Sequence, residues 1–332
     1  MSRVYNRIYT EEEYAHVNID NKEIVNDFLD EYRQRKMKPT TIKQYENDLR
    51  IINLFVKRFC SNRNLLELGK KDFRKLSIWL SDDLKMSNAR VNRIMSSCRS
   101  MLAYIEDSDE YEYEINQAQK IKGLPKDPVR TDESSFFMSF DQIMKIREKL
   151  IEMGDIQLAL LHMMLFDSGA RRNEITQIKK HGLLDGNKTN QVVGKRGKLF
   201  PLVYLDDTKE LVRQWLEIRG EDNIDSLWIV GRDENKREAS YETLYDWVLK
   251  IRDVFSEIEG KKINIFPHSY RHSRVECLLQ GEDKRILDKD SGKPKKFTLE
   301  QVQVYVHHSD PKTTLDYSKD HTEEIIDDMF NL

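Results

Sequence analysis

Residues 123–135, Gly123-Leu-Pro-Lys-Asp-Pro-Val-Arg-Thr-Asp-Glu-Ser-Ser135, interrupt a sequence that is periodic on both sides. Two prolines, a glycine and a polar run cannot continue a helix, so the chain divides here. At 332 residues, each side is long enough to bury its own core. Before the break, residues 21–122 read as helices throughout. Ile24, Phe28 and Tyr32 recur at steps of four, and after Pro39 an apolar stripe runs through Ile42, Tyr45, Leu49, Ile52 and Phe55. A third helix near 71–84 packs through Phe73, Leu76 and Leu80. A fourth, opening at Ser87 or Asn88, turns Val91, Ile94, Met101, Leu102 and Ile105 inward. Residues 1–20 are polar and aperiodic and read as an N-terminal arm.

Beyond the break, Ser139 caps a helix to about Met153. Asp155 then opens a helix through Leu165 that is almost wholly apolar and must therefore be buried. It delivers Ser168-Gly-Ala-Arg-Arg-Asn-Glu-Ile175 to a fixed place. The one clear β signal is residues 190–205, where two apolar runs flank Gly194-Lys-Arg-Gly197, a hairpin with Lys195 at or near its tip. Helical segments return at 209–218 and 241–258. The expected fold class is mainly α with a small antiparallel β-sheet.

Net charge is −3, from 55 basic and 58 acidic residues, which by itself argues against nucleic acid as a partner. The acids are unevenly placed, however. Asp320, Glu323, Glu324, Asp327 and Asp328 crowd residues 319–332, so a cationic face elsewhere is allowed. No apolar run approaches the ~20 residues of a membrane span, and the start lacks a signal-peptide core, so a cytoplasmic location is expected. Cys60, Cys98 and Cys277 suggest neither a disulfide framework nor a zinc site.

Candidate chemistry collects in four places. His268 and Arg271 lie three apart after Pro267 and share a helix face. Arg171 follows the apolar helix, Lys195 tops the hairpin, and His308 precedes Tyr317 by nine positions. Each alone has a dull explanation: an ion pair with Glu174, a solvated turn, a capping histidine, a packed aromatic. A phenol becomes a useful nucleophile only beside cations or a base, which the other segments could supply. On the amino-terminal side, Lys43, Arg50, Arg90, Arg93 and Arg99 project from helix faces among small polar residues. Such a face suits phosphate and base-edge contacts, and equally suits plain solvation.

In their order and spacing these residues resemble the tyrosine recombinase (phage integrase) family. The boxes are Gly169-Ala-Arg-Arg-Asn-Glu-Ile175, Gly194-Lys195 followed by Leu-Phe-Pro-Leu, His268-Ser-Tyr-Arg271, and Val306-His307-His308 with Tyr317. The match extends from about residue 20 over nearly the whole chain. It implies a helical core-binding (SAM-like) DNA-binding domain over 21–122, a linker at 123–135, a catalytic domain over 136–318 and a possible subunit-docking tail over 319–332. It also implies a site-specific recombinase that breaks and rejoins DNA without cofactor or metal. In the implied roles Tyr317 attacks and becomes a 3′-phosphotyrosine, and Arg171 and Arg271 hold the phosphate. Lys195 protonates the leaving oxygen, His268 serves as base or proton carrier, His308 bonds the phosphate, and Glu174 supports Arg171. Arg172 and Lys198 are expected on the DNA backbone. Implied partners are duplex DNA bearing a specific site, three further copies in a tetramer, and directionality or accessory proteins.

Two departures stand out. His307 occupies the family's glycine place, and the nine-residue step selects His308 as the family histidine. Arg271 and His308 are 37 positions apart, and residues 282–297 read as an insertion, either a solvated loop or an extra DNA or subunit contact. Ile325, Ile326, Met329 and Phe330 form an apolar stripe suited to packing on a neighbouring subunit. The short arm before residue 20 points to a simpler recombinase, that of a mobile element or a chromosome-dimer resolvase, and the mobile element is the leading expectation. Alternatives are a chromosome-dimer resolvase, a type IB topoisomerase-like enzyme, or a DNA-binding protein with a dead site.

Overall fold

The computed structural model describes residues 8–125 and 136–307, and the chain forms two compact units, Met1–Val129 and Arg130–Leu332. The first is all helical, with α1 Glu11–Ala15, α2 Ile19–Gln34, α3 Pro39–Phe59, α4 Lys70–Ile78 and α5 Asn88–Glu106. The apolar stripes read from sequence converge on one core, including Phe28, Leu49, Ile52, Phe55, Phe73, Leu76, Val91 and Leu102. After α4 the chain continues through a π turn, Trp79–Asp83, which keeps Leu80 in that core. Residues 8–20 dock on the helices. Arg58 donates to Glu13 and to the Ile8 carbonyl, and Lys57 donates to the Glu13 carbonyl.

The second unit places α6 Phe140–Glu152, α7 Ile156–Ser168 and α8 Arg172–Ile175 before a hairpin of β1 Lys188–Val193 and β2 Leu199–Val203. Then come α9 Asp206–Arg219, a two-residue pair of β3 Ile229–Val230 with β4 Arg237–Glu238, α10 Tyr241–Glu259, α11 Pro267–Gln280 and α12 Leu299–Tyr305. Both strand pairs are antiparallel, with Val193 opposite Leu199 in the hairpin. Among the described residues no helix is long and apolar enough to cross a membrane.

Helix α7 is the axis of this unit, and every residue from Ala159 to Ser168 is buried. It packs against α6, α9 and α11. Its length beyond Leu165 depends on Gly169, whose left-handed φ of 56° caps the helix. A side chain there would crowd Val306 and Arg274 at 3.3 and 3.4 Å, so glycine also admits α11 and the end of α12.

His162, buried on α7, donates from Nε2 to the Ile143 carbonyl and accepts at Nδ1 from the Tyr270 hydroxyl, both at 2.9 Å. Burial pushes its pKa down to about 4. A histidine depressed in the folded state stabilises fully above its unfolded pKa and progressively less as pH falls toward the folded value. Between pH 7 and 5 this one group is expected to cost about 2 kcal/mol of stability. Urea titrations at the two pH values check this. The variant His162→Gln should be weaker at pH 7 but flatter across the range.

Candidate active site

The site is built where the two ends of α7 and α12 meet the start of α11. Pro267 opens α11 at a position where its missing N–H is not needed, which sets His268 in the first turn and Arg271 one turn on. Arg271 is 1% exposed, and its guanidinium donates to the Gly169 carbonyl at 2.7 Å and to the Val306 carbonyl at 2.5 Å. One planar fork thus ties the end of α7 to the end of α12.

Arg171 precedes α8 in extended conformation. Its backbone N–H donates to Glu174 Oε2 at 2.7 Å and its guanidinium to Glu174 Oε1 at 3.1 Å. The Glu174 carboxylate is buried, so it holds Arg171 in place while the guanidinium stays partly open. Arg171 and His268 line one cleft of about 430 Å³ with Arg172, Asn173, Tyr241, Tyr245, Phe266 and Pro267. Burial of its inner edge, with the charges of His272, Arg271 and Arg171, pushes His268 down to about 4 although part of the ring meets solvent. The imidazole is therefore neutral at pH 7 and able to accept a proton.

Lys195 and Lys198 are exposed at the hairpin turn. The turn is held by Gly194 N–H donating to the Lys198 carbonyl at 2.8 Å, and by Gln177, which bonds both the N–H and the carbonyl of Val193. His307 stacks on Phe200 beside it. His308 and Tyr317 lie outside the described residues, as does the tail. Among the described residues no group of His, Cys, Asp and Glu could hold a metal ion.

The proposed DNA contacts differ in how they are engaged. Arg172 lies over the Tyr241 ring at 3.5 Å and the Tyr245 ring at 4.8 Å, a cation–π clamp on the wall of the cleft. Arg90 and Arg93 converge on fully buried Asp48 at 2.6 and 3.2 Å, and burial raises the pKa of that carboxyl against them. Lys43 and Arg50 both pair with Glu46. Arg99 donates to the carbonyls of Ala118 and Ile121, so it fastens the chain leaving α5.

Residues 283–286 of the 282–297 segment are held on the unit, while most of 287–296 is exposed to solvent. Arg285 donates to Asp283 and Asp207 at 2.9 Å and to Asp167 at 2.6 Å, while Arg274 holds Asp283 at 2.5 Å. The Tyr305 hydroxyl completes the cluster on the Asp167 carbonyl. Sequence reading passed over Arg274 and took Arg285 only as one of the cations of the inserted segment. The sole hint was an arginine beside an aspartate, Asp283-Lys-Arg285.

No family model matches the chain. A curated relative does: the chain is 22% identical over 294 residues to a tyrosine recombinase XerC from Pseudomonas fluorescens, spanning 86% of this chain and 87% of the relative. Over most of its length the chain is therefore similar to a tyrosine recombinase. Solved integrases share its fold. A Tn1549 transposon integrase bound to transposon right-end DNA superposes with a TM-score of 0.67 at 11% identity, over 92% of this chain and 99% of the other. A lambda integrase tetramer bound to a Holliday junction gives 0.66 at 13% identity, over 90% and 77%. The segments that sequence reading singled out around Arg171, Lys195 and His268 lie just before α8, on the hairpin turn and on the first turn of α11.

Proposed function

We propose that this chain is a tyrosine recombinase, a site-specific DNA recombinase serving a mobile genetic element and acting as a tetramer through a 3′-phosphotyrosine at Tyr317. The observation that carries this reading is that Arg171 and His268, drawn from separate segments, line one cleft beside the buried Glu174 carboxylate, with the Arg271 charge near enough to His268 to lower its pKa. Two guanidiniums offer fixed, permanently charged forks for the charge that builds on non-bridging phosphate oxygens.

In the cleavage step the Tyr317 oxygen forms a bond to phosphorus as the bond from phosphorus to the 5′ oxygen breaks. Neutral His268 takes the phenolic proton, and Lys195 gives one to the leaving oxygen. The phosphodiester energy is kept in the covalent bond, and a 5′-hydroxyl from a partner strand reverses the step to complete exchange. Core-domain residues such as Arg93 and Lys43, both exposed, would contact the DNA backbone. Likeness of fold to transposon and phage integrases supports the mobile-element role.

The test starts by mapping the DNA bound in cells. The mapped site is then made with a nick beside the scissile phosphate, so that the released fragment diffuses away. The expected result is a protein–DNA adduct that survives denaturation, and exchange between two intact sites. Relaxation of supercoils without exchange would favour a topoisomerase-like enzyme. No adduct on the mapped site would leave a DNA-binding protein.

A further inference from the structure

Phe200, near the start of β2, brings three parts of the site together. Its ring passes under the hairpin turn so closely that a Cβ on Gly194 would come within 2.5 Å of it, and that same Cβ would lie 3.4 Å from Glu174 Oε1. Only glycine at 194 lets the ring, the turn and the partner of Arg171 sit side by side. The imidazole of His307 covers one face of the ring, with centroids 3.7 Å apart and planes 24° from parallel.

His307 has a left-handed backbone, with φ of 55°, which residues bearing a β-carbon rarely adopt. Glycine would take this conformation freely, but it could not make the stack. The carbonyl just before it, that of Val306, is gripped by Arg271, so the histidine is anchored to that buried guanidinium. Burial lowers the pKa of His307 against the pull of Glu174. From the other side, Gln177 brackets Val193, the last residue of β1. The Lys195 turn is therefore held from two sides, and one of the holds comes from the segment that leads to Tyr317.

We propose that Phe200 and His307 form a latch that positions Lys195 for proton delivery to the leaving 5′ oxygen. The proposal rests on the reading of Lys195 as general acid. In that step the electron pair of the breaking bond stays on the 5′ oxygen, a proton passes to it from Lys195 Nζ, and a neutral amine remains. Both latch residues are positioning residues.

Single-turnover cleavage of the nicked site distinguishes this from a merely structural role. It is measured with an ordinary scissile phosphate and with one whose 5′-bridging oxygen is sulfur. A thiol has a pKa of about 8.5, so the sulfur leaves as thiolate and needs no acid. Phe200→Ala and His307→Gly should each slow cleavage of the ordinary substrate roughly 10–100-fold, and cleave the sulfur substrate within about threefold of wild type. Lys195→Ala should show the same pattern with a larger loss, and Phe200→Tyr should keep most of the rate. His307→Gly relieves a strained backbone, so it keeps the test open if Phe200→Ala folds poorly. Equal slowing on both substrates, or no slowing on either, overturns the latch alone. Failure of the wild type to form an adduct, or a Lys195→Ala defect that sulfur does not relieve, overturns the catalytic reading and the latch with it.

Discussion

Replacing Arg271 with lysine should reduce DNA cleavage by roughly 10²–10³-fold, the range seen when one fixed donor to a developing oxyanion is removed. The fork of Arg271 donates to two carbonyls at once, those of Gly169 and Val306, and so fixes the ends of α7 and α12. A lysine ammonium is a point charge on a flexible stem and cannot reproduce two parallel, planar bonds while facing a phosphate. Alanine should do worse by a second route. It leaves two carbonyls without their donor at a position 1% exposed, where each unmade bond costs about 1–3 kcal/mol. Denaturant titration beside single-turnover cleavage separates the two effects. For Arg271→Lys the rate should fall far more than the stability; a variant that loses both in proportion would make Arg271 a structural tie only.

Arg285→Ala should destabilise the second unit by about 3–5 kcal/mol, although its side chain does not line the cleft. Removing this cation strands Asp167, which is fully buried, and weakens the hold on Asp283 and Asp207. Burial raises the pKa of Asp283, but the hydrogen bonds and charges of Arg285 and Arg274 outweigh it and hold the carboxyl below its ordinary value. Losing Arg285 therefore leaves charge in a place built for it only when paired. A second change, Asp167→Asn, should recover part of the loss, and a double-mutant cycle by urea unfolding measures the coupling. Purely additive losses would mean that the two residues act independently. Because Asp167 sits at the end of α7 and its carbonyl accepts from Tyr305 on α12, cleavage should also slow as the segments bearing Arg171 and His307 loosen.

Local signals were legible in the sequence. Ser139 with Gln142 and Thr298 with Gln301 both form reciprocal capping boxes, and Gly194 and Gly197 do flank the hairpin turn. Helix α7 is buried as its composition requires, and runs three residues past Leu165 because Gly169 can close it in a left-handed turn. Pairings over long separations were not legible. Arg285 meets Asp167 across 118 positions and Phe200 meets His307 from another distant part of the sequence, and no periodicity announces either contact. Nor does an arginine on a polar helix face declare its partner. Arg99 and Arg93 look alike in sequence, yet one secures two carbonyls and the other reaches over a buried aspartate into solvent.

The nucleophile is tested most directly by isolating the covalent protein–DNA adduct, digesting both components, and sequencing the peptide that retains a nucleotide by mass spectrometry. The expected result is one modified peptide with the 3′-phosphoryl group on Tyr317, absent from Tyr317→Phe while DNA binding persists. A nucleotide on any other residue, or an adduct still formed by Tyr317→Phe, would contradict cleavage through Tyr317.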